Sequence, residues 1–280
     1  MFKEGCLECN QFVFLPFTRI HFLSSLASPY LRPSMRYFLS LSYRGTHYAG
    51  WQVQPNAPSV QATLEAAIST ILREKIDVTG CGRTDAGVHA RFYVAHFDSE
   101  GALPPTFLNG LNSLLPKDVA VHDIKPVSPE SHARFDAYER SYEYFVSLRK
   151  DPFSTETAWH YPLYARLDFD KMQETAALLP NYPAFFPFCK TDSGLEHYHC
   201  ALKAAFWQKH PEEHQWVFHI TANRFLRGMV RLIVGACVQV GRGQLQVADV
   251  KTALEEQKPL KKSLSAPPQG LLLTDVKYPF

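Results

Sequence analysis

One carboxylate of this chain lies two residues after an arginine and close to three glycines, in the run GCGRTDAGVHA over residues 80–90. Glycine allows the backbone to turn tightly and to approach a ligand closely. Asp85, held on such a turn, is therefore a candidate nucleophile. The same composition also suits an ordinary hairpin turn, because Thr, Asp and Gly are typical turn residues. Spacing alone leaves both interpretations open.

The densest local positive charge lies over residues 223–243, which carry four arginines and no acid. Helical spacing over residues 228–240 turns the apolar side chains inward, namely Met229, Leu232, Ile233 and Ala236. The same spacing predicts that Arg224, Arg227 and Arg231 line one side. Such a row suits phosphates or one buried carboxylate, and a solvated helix face is the alternative.

A strand over residues 138–148 carries a row of aromatic and basic side chains on one face. The members of this face are Tyr138, Arg140, Tyr142, Tyr144, Val146 and Leu148. Tyrosines beside an arginine can stack on bases. An amphipathic core face has the same pattern, so both interpretations stay open.

Regular elements must position these residues. In the first half, alternation over residues 37–43 predicts a strand, and Ser59 can cap a helix that ends near Lys75. A strand from Ile76 then delivers the Asp85 turn. The remaining predicted elements are a strand over 92–97, a helix opened by Pro104 and Pro105 and closed by Pro116, and a strand over 119–125.

The second half has the same kinds of element. Helices are predicted over residues 168–179 and 247–257, and a strand pair over 201–210 and 215–222. Alternating helices and strands indicate an α+β or α/β layer arrangement. We expect an N-terminal domain over 35–128, which carries the candidate turn, and a C-terminal domain over 129–280.

The chain has 280 residues, of which 46% are hydrophobic, so it can bury a large core and form two domains. Its 29 lysines and arginines against 27 acids give a net charge of +2. This charge exerts no strong overall attraction on a polyanion. A nucleic-acid partner therefore requires locally clustered basic residues.

The six cysteines do not repeat the spacing of a small secreted disulfide domain, which favours a reducing cytoplasm. Two groups have ligand types suited to zinc, the lone CxxC pair Cys6 and Cys9 and the cluster of Cys189, His197, His199 and Cys200. The CxxC has no second pair, and adjacent His199 and Cys200 would point to opposite faces of a strand. We expect solvated or core side chains at both places.

The first 34 residues differ in pattern from the rest of the chain. The apolar stretch over 12–17 is short, and Arg19 and His21 interrupt any longer run, so a membrane span of about 20 residues is not available there. A secretory signal is the alternative, because the small residues over 24–28 imitate a cleavage site. Met35 precedes the first clean strand pattern, so we expect residues 1–34 to be an upstream extension or a poorly ordered tail.

Several separated segments share an order and spacing that point to a known family. They are YRGTHYAGWQ over 43–52, GRTDAGVH over 82–89, HARF over 132–135 followed by Arg140, Tyr142 and Tyr144, RFLRGMVR over 224–231, and APPQGL over 266–271. These segments resemble the tRNA pseudouridine synthase A family, from about Met35 to Phe280. The chain departs from the family pattern at NYPAFF over 181–186 and near His199 and Cys200, which affects substrate contacts of the second domain.

The resemblance implies the pseudouridine synthase fold, with two domains, each a mainly antiparallel sheet with helices on one face, around a central cleft. It also implies isomerisation of uridine to pseudouridine at positions 38, 39 and 40 in the anticodon stem-loop of tRNA. The implied enzyme is a homodimer that uses no cofactor and no metal.

By matching position, the resemblance makes Asp85 the nucleophile, Arg83 its neighbour on the catalytic turn, Tyr142 the active-site tyrosine and Arg231 the partner of Asp85. It places the expected substrate-binding residues within the matching motifs. They are Tyr142, Arg44, Arg134, Arg140, Arg224 and Arg227.

The residue types suit this chemistry. A target base must leave its stack, which costs a few kcal/mol, and stacking on Tyr142 can return about 1 to 3 kcal/mol. An arginine beside Asp85 would keep the carboxylate ionised in a dry pocket. Two other functions stay open, a non-catalytic RNA-binding protein and a hydrolase that uses Asp85 with a second carboxylate.

Overall fold

Strands from both halves of the chain form one mixed sheet. The computed structural model describes residues 34–162, 167–190, 196–211 and 214–280. The strands within these ranges are β1 Ser34–Tyr43, β2 Thr79–Gly80, β3 His89–Glu100, β4 Val119–Val127, β5 Glu139–Ser147, β6 Trp159–His160, β7 Leu202–Lys209, β8 Gln215–Ala222 and β9 Leu271–Lys277. The helices are α1 Val60–Leu72, α2 Phe107–Leu114, α3 Phe169–Leu178, α4 Met229–Gly241 and α5 Val247–Glu256.

The strand order is β4-β1-β3-β9-β5-β8-β7, with β2 beside β3 and β6 beside β5. Neighbours along this order are antiparallel except β3 and β9, which run parallel through the pairs His89 with Leu272 and Ala90 with Leu273. A mixed sheet with helices agrees with the α+β class. The expectation of one sheet in each half differs from this arrangement, because β9, which was not predicted, pairs with both β3 and β5.

Two clusters of buried side chains lie along this sheet. One joins α1 and α2 to β1, β3 and β4, and it includes Leu39, Leu41, Leu64, Ile68 and Leu111. The other joins α3, α4 and α5 to β5, β7 and β8, and it includes Tyr144, Met172, Phe218, Ile233 and Leu254. Tyr142 packs against both clusters, so β5 places this side chain where the two cores meet. The domain boundary between 128 and 129 stays a prediction.

Helix α1 begins as the sequence predicts, because the Ser59 hydroxyl accepts a hydrogen bond of 3.2 Å from the Ala62 amide. It ends earlier than Lys75. Arg73 adopts a left-handed conformation with φ of 57°, and its amide donates to the Ser69 carbonyl.

The strand predicted from Ile76 is reduced to the two residues of β2, and the contacts of α1 explain this difference. The Ile76 amide donates to the Ser69 hydroxyl at 3.0 Å, and the Val78 amide donates to the Glu65 carboxylate at 2.9 Å. Because side chains of α1 accept hydrogen bonds from the Ile76 and Val78 amides, this part of the chain does not need to pair with a neighbouring strand.

Helix α4 begins at Met229, after Gly228 with φ of +69°. Arg224 and Arg227 therefore lie in the preceding loop, and the expectation that three arginines line one helix was wrong. Only Arg231 of the three lies on α4. Nearly every other residue of this helix is buried, which is typical of a core helix.

The expectations for residues 1–33, including the pair Cys6 and Cys9, lie outside the described residues. Ser34 and Met35 already belong to β1, where they pair with Glu100 and Ser99 of β3. In the part of the chain that the structure describes, no helix has the length and apolar character needed to cross a bilayer.

Candidate active site

The Asp85 turn links β2 to β3 and is held by backbone contacts with the loop after β1. The Trp51 amide donates to the Thr84 carbonyl at 3.4 Å, and the Gly87 amide donates to the Tyr48 carbonyl at 3.2 Å. Gly50 has φ of +98°, and a Cβ there would lie 2.3 Å from the Thr84 carbonyl oxygen. Only glycine fits at position 50, so the GWQ segment of the sequence motif supports the turn sterically.

His89 fixes the end of the turn to two distant segments. Its Nδ1 accepts from the Gly45 amide at 2.9 Å, and its Nε2 lies 3.1 Å from the Gln269 carbonyl oxygen. Since Nδ1 is an acceptor, Nε2 carries the proton and the ring is neutral. Burial lowers the pKa of His89, which favours the same neutral form.

Asp85 forms an ion pair with Arg231 of α4. Arg231 Nη1 lies 2.9 Å from Asp85 Oδ2, and the two side chains are 13% and 25% exposed. The Arg231 Nε donates to the Ala266 carbonyl at 2.7 Å, and the Ala266 amide donates back to the Arg231 carbonyl at 3.0 Å. The contacts with Ala266 thus fix the orientation of the Arg231 guanidinium, which suits a fixed carboxylate at Asp85.

Lys190 is a second cation at Asp85, and none of the sequence motifs includes it. Its Nζ lies 3.9 Å from Asp85 Oδ2. The lysine amide donates to the Arg227 carbonyl at 3.2 Å, and a Cβ at Gly228 would lie 2.9 Å from the lysine Cε. The sequence gives no signal for Lys190, because its place depends on a contact between segments far apart in the chain.

The tyrosines on β5 differ in burial, so neither interpretation of this face, base stacking or core packing, fits all of them. Tyr144 is fully buried and its hydroxyl donates to the Pro267 carbonyl at 2.8 Å, so it is a core residue. Tyr138 is 53% exposed. Tyr142 lies between these extremes and packs edge-on against Phe225, with ring centroids 5.1 Å apart. Burial raises the pKa of Tyr142 above its usual range, and the nearby Cys81 and Asp85 add to this effect.

Arg140 directs its guanidinium to backbone carbonyl groups. Nη1 donates to Ala137 at 2.6 Å and to Asn223 at 2.8 Å, whereas Nη2 donates to Cys81 at 3.0 Å and to Arg134 at 2.8 Å. The Cys81 carbonyl lies at the start of the Asp85 turn, the Arg134 and Ala137 carbonyls lie in and just after the HARF segment, and the Asn223 carbonyl follows β8. The contacts indicate that Arg140 positions the site, whereas its contact with substrate stays a prediction.

The other predicted site residues lie farther out. Arg83, Arg134 and Arg227 are exposed, and Arg224 is half-buried. Arg134 lies over the ring of Phe135, with its Cζ 5.6 Å from the centroid. These side chains can reach a ligand on the surface, and their binding roles remain to be tested.

Arg44 forms an ion pair with Glu156. The two residues border a cleft of about 420 Å³ that also has His47 and Lys117 in its walls. In this structure the charge of Arg44 is therefore partly neutralised, and a role in substrate binding stays a prediction.

The residues with zinc-ligand types do not converge in the described part of the chain. There, no three His, Cys, Asp or Glu side chains are grouped closely enough to hold a metal ion. Cys200 is buried, and burial raises the pKa of its thiol to about 11. His197 and His199 are exposed. The chain next to Pro183 and the chain next to Cys200 are joined by an isolated antiparallel β-bridge between Ala184 and His199.

Comparison with known proteins identifies the relatives of this chain. The family model described as tRNA pseudouridine synthase matches residues 40–136 and 183–279. The protein named tRNA pseudouridine synthase A from Porphyromonas gingivalis is 46% identical over 247 residues, which cover 87% of this chain and 97% of that protein. The protein of the same name from Bacteroides thetaiotaomicron is 46% identical, with 87% of this chain and 91% of that protein covered.

A more distant relative, tRNA pseudouridine synthase A from Geobacter sp., is 38% identical over 86% of this chain and 98% of its own length. The ranges matched by the family model include the Asp85 turn and Arg231, whereas Tyr142 lies between the two ranges. The predicted resemblance is confirmed, and the chain belongs to the tRNA pseudouridine synthase family, whose members are isomerases.

Proposed function

We propose that this protein isomerises uridine to pseudouridine at positions 38, 39 and 40 in the anticodon stem-loop of tRNA, with Asp85 as the nucleophile and without a cofactor. The observation that carries the proposal is the contact of 2.9 Å between Arg231 Nη1 and Asp85 Oδ2. Partly buried ionisable groups that face a fixed partner of opposite charge are enriched at functional sites. The pair supplies the ionised carboxylate that nucleophilic attack requires.

The reaction needs no co-substrate, because its bonds and protons balance within one nucleotide. The bond between uracil N1 and sugar C1′ breaks, and a bond between uracil C5 and C1′ forms. A proton leaves C5, and one proton is gained at N1. Attack by Asp85 on the ring or on C1′ requires the same carboxylate, to which Arg231 Nη1 donates a hydrogen bond of 2.9 Å.

Tyr142 supplies a surface for the extruded base. Its ring lies where the two core clusters meet, beside Phe225, so the base can exchange its neighbours in RNA for an aromatic wall. Because the pKa of Tyr142 is raised by burial, its hydroxyl is protonated at neutral pH. The residue thus meets the substrate as a ring and a hydroxyl donor.

Arginines outside the ion pair would bind the tRNA backbone. Arg83 lies on the catalytic turn, whereas Arg134, Arg224 and Arg227 lie on neighbouring segments. Guanidinium groups bind phosphates through paired N–H donors, which gives orientation as well as affinity. Two copies of such a modest patch, in a homodimer, would present a longer basic surface to one tRNA. A tRNA substrate and the cysteine pattern favour a cytoplasmic location.

The experiment is a pseudouridine map of an unmodified tRNA transcript, incubated with purified protein and a chelator and without nucleotide. We expect pseudouridine at the three anticodon-arm positions with the wild type and none with Asp85→Asn. The matched control is Asp77→Asn, since Asp77 has a side chain that is 83% exposed and paired with Lys75. Binding without pseudouridine would indicate an RNA-binding protein. Released uracil or a cleaved strand would indicate a hydrolase.

A further inference from the structure

A cleft of about 440 Å³ lies beside the Asp85 site. Its walls come from the segment before Lys190, from Tyr198, from the loop before α4 and from the segment after α5. The side chains that carry the argument are Phe186, Lys190, Tyr198, Arg227, Leu232 and Leu260. Its volume is in the range of pockets that hold small ligands.

The cleft has the electrostatic character of an anion site. Lys190 and Arg227 are the charged residues of its wall, and no acid borders it within the described residues. The backbone joins the two, since the Lys190 amide donates to the Arg227 carbonyl at 3.2 Å. The two residues therefore adjoin in the wall, and a phosphate in the cleft would meet two cations.

The rest of the wall is mainly aromatic and aliphatic, and it also includes Cys189 and Ser263. Phe186 and Tyr198 meet edge-on, with ring centroids 4.9 Å apart, and both side chains are half-buried. Leu232 and Leu260 are 9% exposed. An aromatic surface next to two cations matches a base joined to a phosphate, because every base can stack on a ring.

Lys190 connects the cleft to the reacting carboxylate. Its Nζ is 3.9 Å from Asp85 Oδ2, and its stem crosses Gly228, where a Cβ would lie 2.9 Å from Cε. A uridine that enters the Asp85 site remains covalently joined to its neighbours in the strand. One adjoining nucleotide can therefore reach Lys190 and the cleft beside it.

We propose that this cleft binds the nucleotide adjoining the target uridine in the same RNA strand, with its phosphate on Lys190 and Arg227 and its base on Tyr198 and Phe186. This inference rests on the proposed function, because the occupant is the neighbour of a uridine held at Asp85. The cleft thereby holds one flanking nucleotide in place while the uridine occupies the Asp85 site. It is a binding subsite and takes no part in bond exchange.

The first test uses the charged wall. Lys190→Met and Arg227→Gln are each expected to raise the Kd of an anticodon stem-loop RNA about tenfold and to lower the slope of log Kd against log salt by about one. The control is Lys75→Gln, because the Lys75 side chain is 87% exposed and belongs to the other half of the chain. Unchanged affinity in both cleft variants would contradict a phosphate in the cleft.

The second test identifies the base. Stem-loop RNAs carry an abasic residue on the 5′ or on the 3′ side of the target uridine, and each is bound to the wild type, Tyr198→Ala and Tyr198→Phe. On the side that occupies the cleft, the abasic residue and Tyr198→Ala should each raise the Kd about tenfold. The abasic RNA bound to Tyr198→Ala should have the same Kd as either single change, because both remove the same contact. Tyr198→Phe keeps the ring and should bind as the wild type.

The inference would be overturned if, for the 5′ and for the 3′ abasic RNA alike, the loss of affinity from the abasic residue and the loss from Tyr198→Ala multiplied. The same intact stem-loop is assayed for pseudouridine with the wild type. If the wild type forms pseudouridine but Tyr198→Ala and the abasic residue act independently, the cleft inference is wrong and the proposed isomerisation stands. Coupling without pseudouridine rejects the proposed isomerisation and keeps the cleft as a nucleotide site.

Discussion

The guanidinium of Arg231 joins Asp85 to the chain at Ala266. Nη1 donates to Asp85 Oδ2 at 2.9 Å, and Nε donates to the Ala266 carbonyl at 2.7 Å. Lys190 makes its closest approach, 3.9 Å, to the same oxygen, Oδ2. Both cations therefore approach Oδ2, and in the proposed reaction Oδ1 would be the oxygen that attacks carbon.

Replacement of Arg231 by lysine should reduce the rate of pseudouridine formation by about 10²-fold. One ammonium cannot contact both Ala266 and Asp85 in the way that the planar fork does. The measurement is single-turnover conversion of an unmodified tRNA transcript at saturating protein. Arg242→Lys is the control, since Arg242 is exposed and caps the other end of α4. Equal rates for Arg231→Lys and the wild type would argue against the pair.

Replacement of Arg140 by lysine should lower the rate constant at saturating tRNA about tenfold and leave the Kd of tRNA within about threefold. The reason is that Arg140 contacts carbonyls of the Asp85 turn and of Asn223, so its loss displaces Asp85 without removing a phosphate contact. Binding and single-turnover assays at a temperature where both proteins are folded separate these effects.

The contrasting variant is Arg134→Gln, which removes an exposed guanidinium. It should raise the Kd of tRNA and reduce the salt dependence of binding, with little change in the rate at saturation. If Arg140→Lys behaves like Arg134→Gln, then Arg140 contacts the RNA directly and the positioning role is wrong.

The phenol of Tyr142 should stay protonated throughout the accessible pH range. Its pKa is raised chiefly by burial, so no rise in rate from phenolate formation is expected up to about pH 9.5. Single-turnover rates of the wild type and Tyr142→Phe, measured across this range, should have curves of the same shape. A rise above pH 8 in the wild type that Tyr142→Phe lacks would mean that the phenolate takes part.

Periodicity and capping residues predicted most of the elements around the site. The alternation before Tyr43 predicts β1, Ser59 predicts the start of α1, and the apolar pattern after Gly228 predicts α4. These signals are local, since the residues that make them lie within a few positions of one another. The pairing of Asp85 with Arg231 was predicted from the family resemblance, because the two residues lie in separate motifs far apart in the chain.

The rest depends on contacts between distant segments. Strand β9 carries the apolar run Leu271 to Leu273 without clean alternation, and it was not predicted because its place between β3 and β5 is a tertiary feature. Lys190 occupies an ordinary charged position in the sequence, and the motif that includes Arg140 gives no indication that its guanidinium binds backbone carbonyls. Their significance depends on Asp85 and Cys81, which lie more than 50 residues away in the chain.

Stability should fall between pH 7 and pH 4 through His96, a buried histidine between the Asp85-bearing half and the HARF segment. Its Nδ1 accepts from the Ala133 amide at 3.1 Å, and burial, with the charge of Arg36, lowers its pKa to about 4. In the unfolded chain the same ring takes a proton near pH 6.5. Between these values the unfolded state binds more protons, so the free energy of unfolding falls by about 3 kcal/mol as the pH drops.

Chemical denaturation of the wild type and His96→Asn at several pH values measures this contribution. The asparagine Oδ1 can still accept from the Ala133 amide, so the variant should fold, and its stability should depend less on pH between 7 and 4. His89 and His219 also have pKa values lowered by burial, and they remain in both proteins, so the difference between the two curves isolates His96. His122→Asn, at an exposed position, is the control. Parallel curves for the wild type and His96→Asn would show that His96 is protonated in the folded protein or that its environment opens before unfolding.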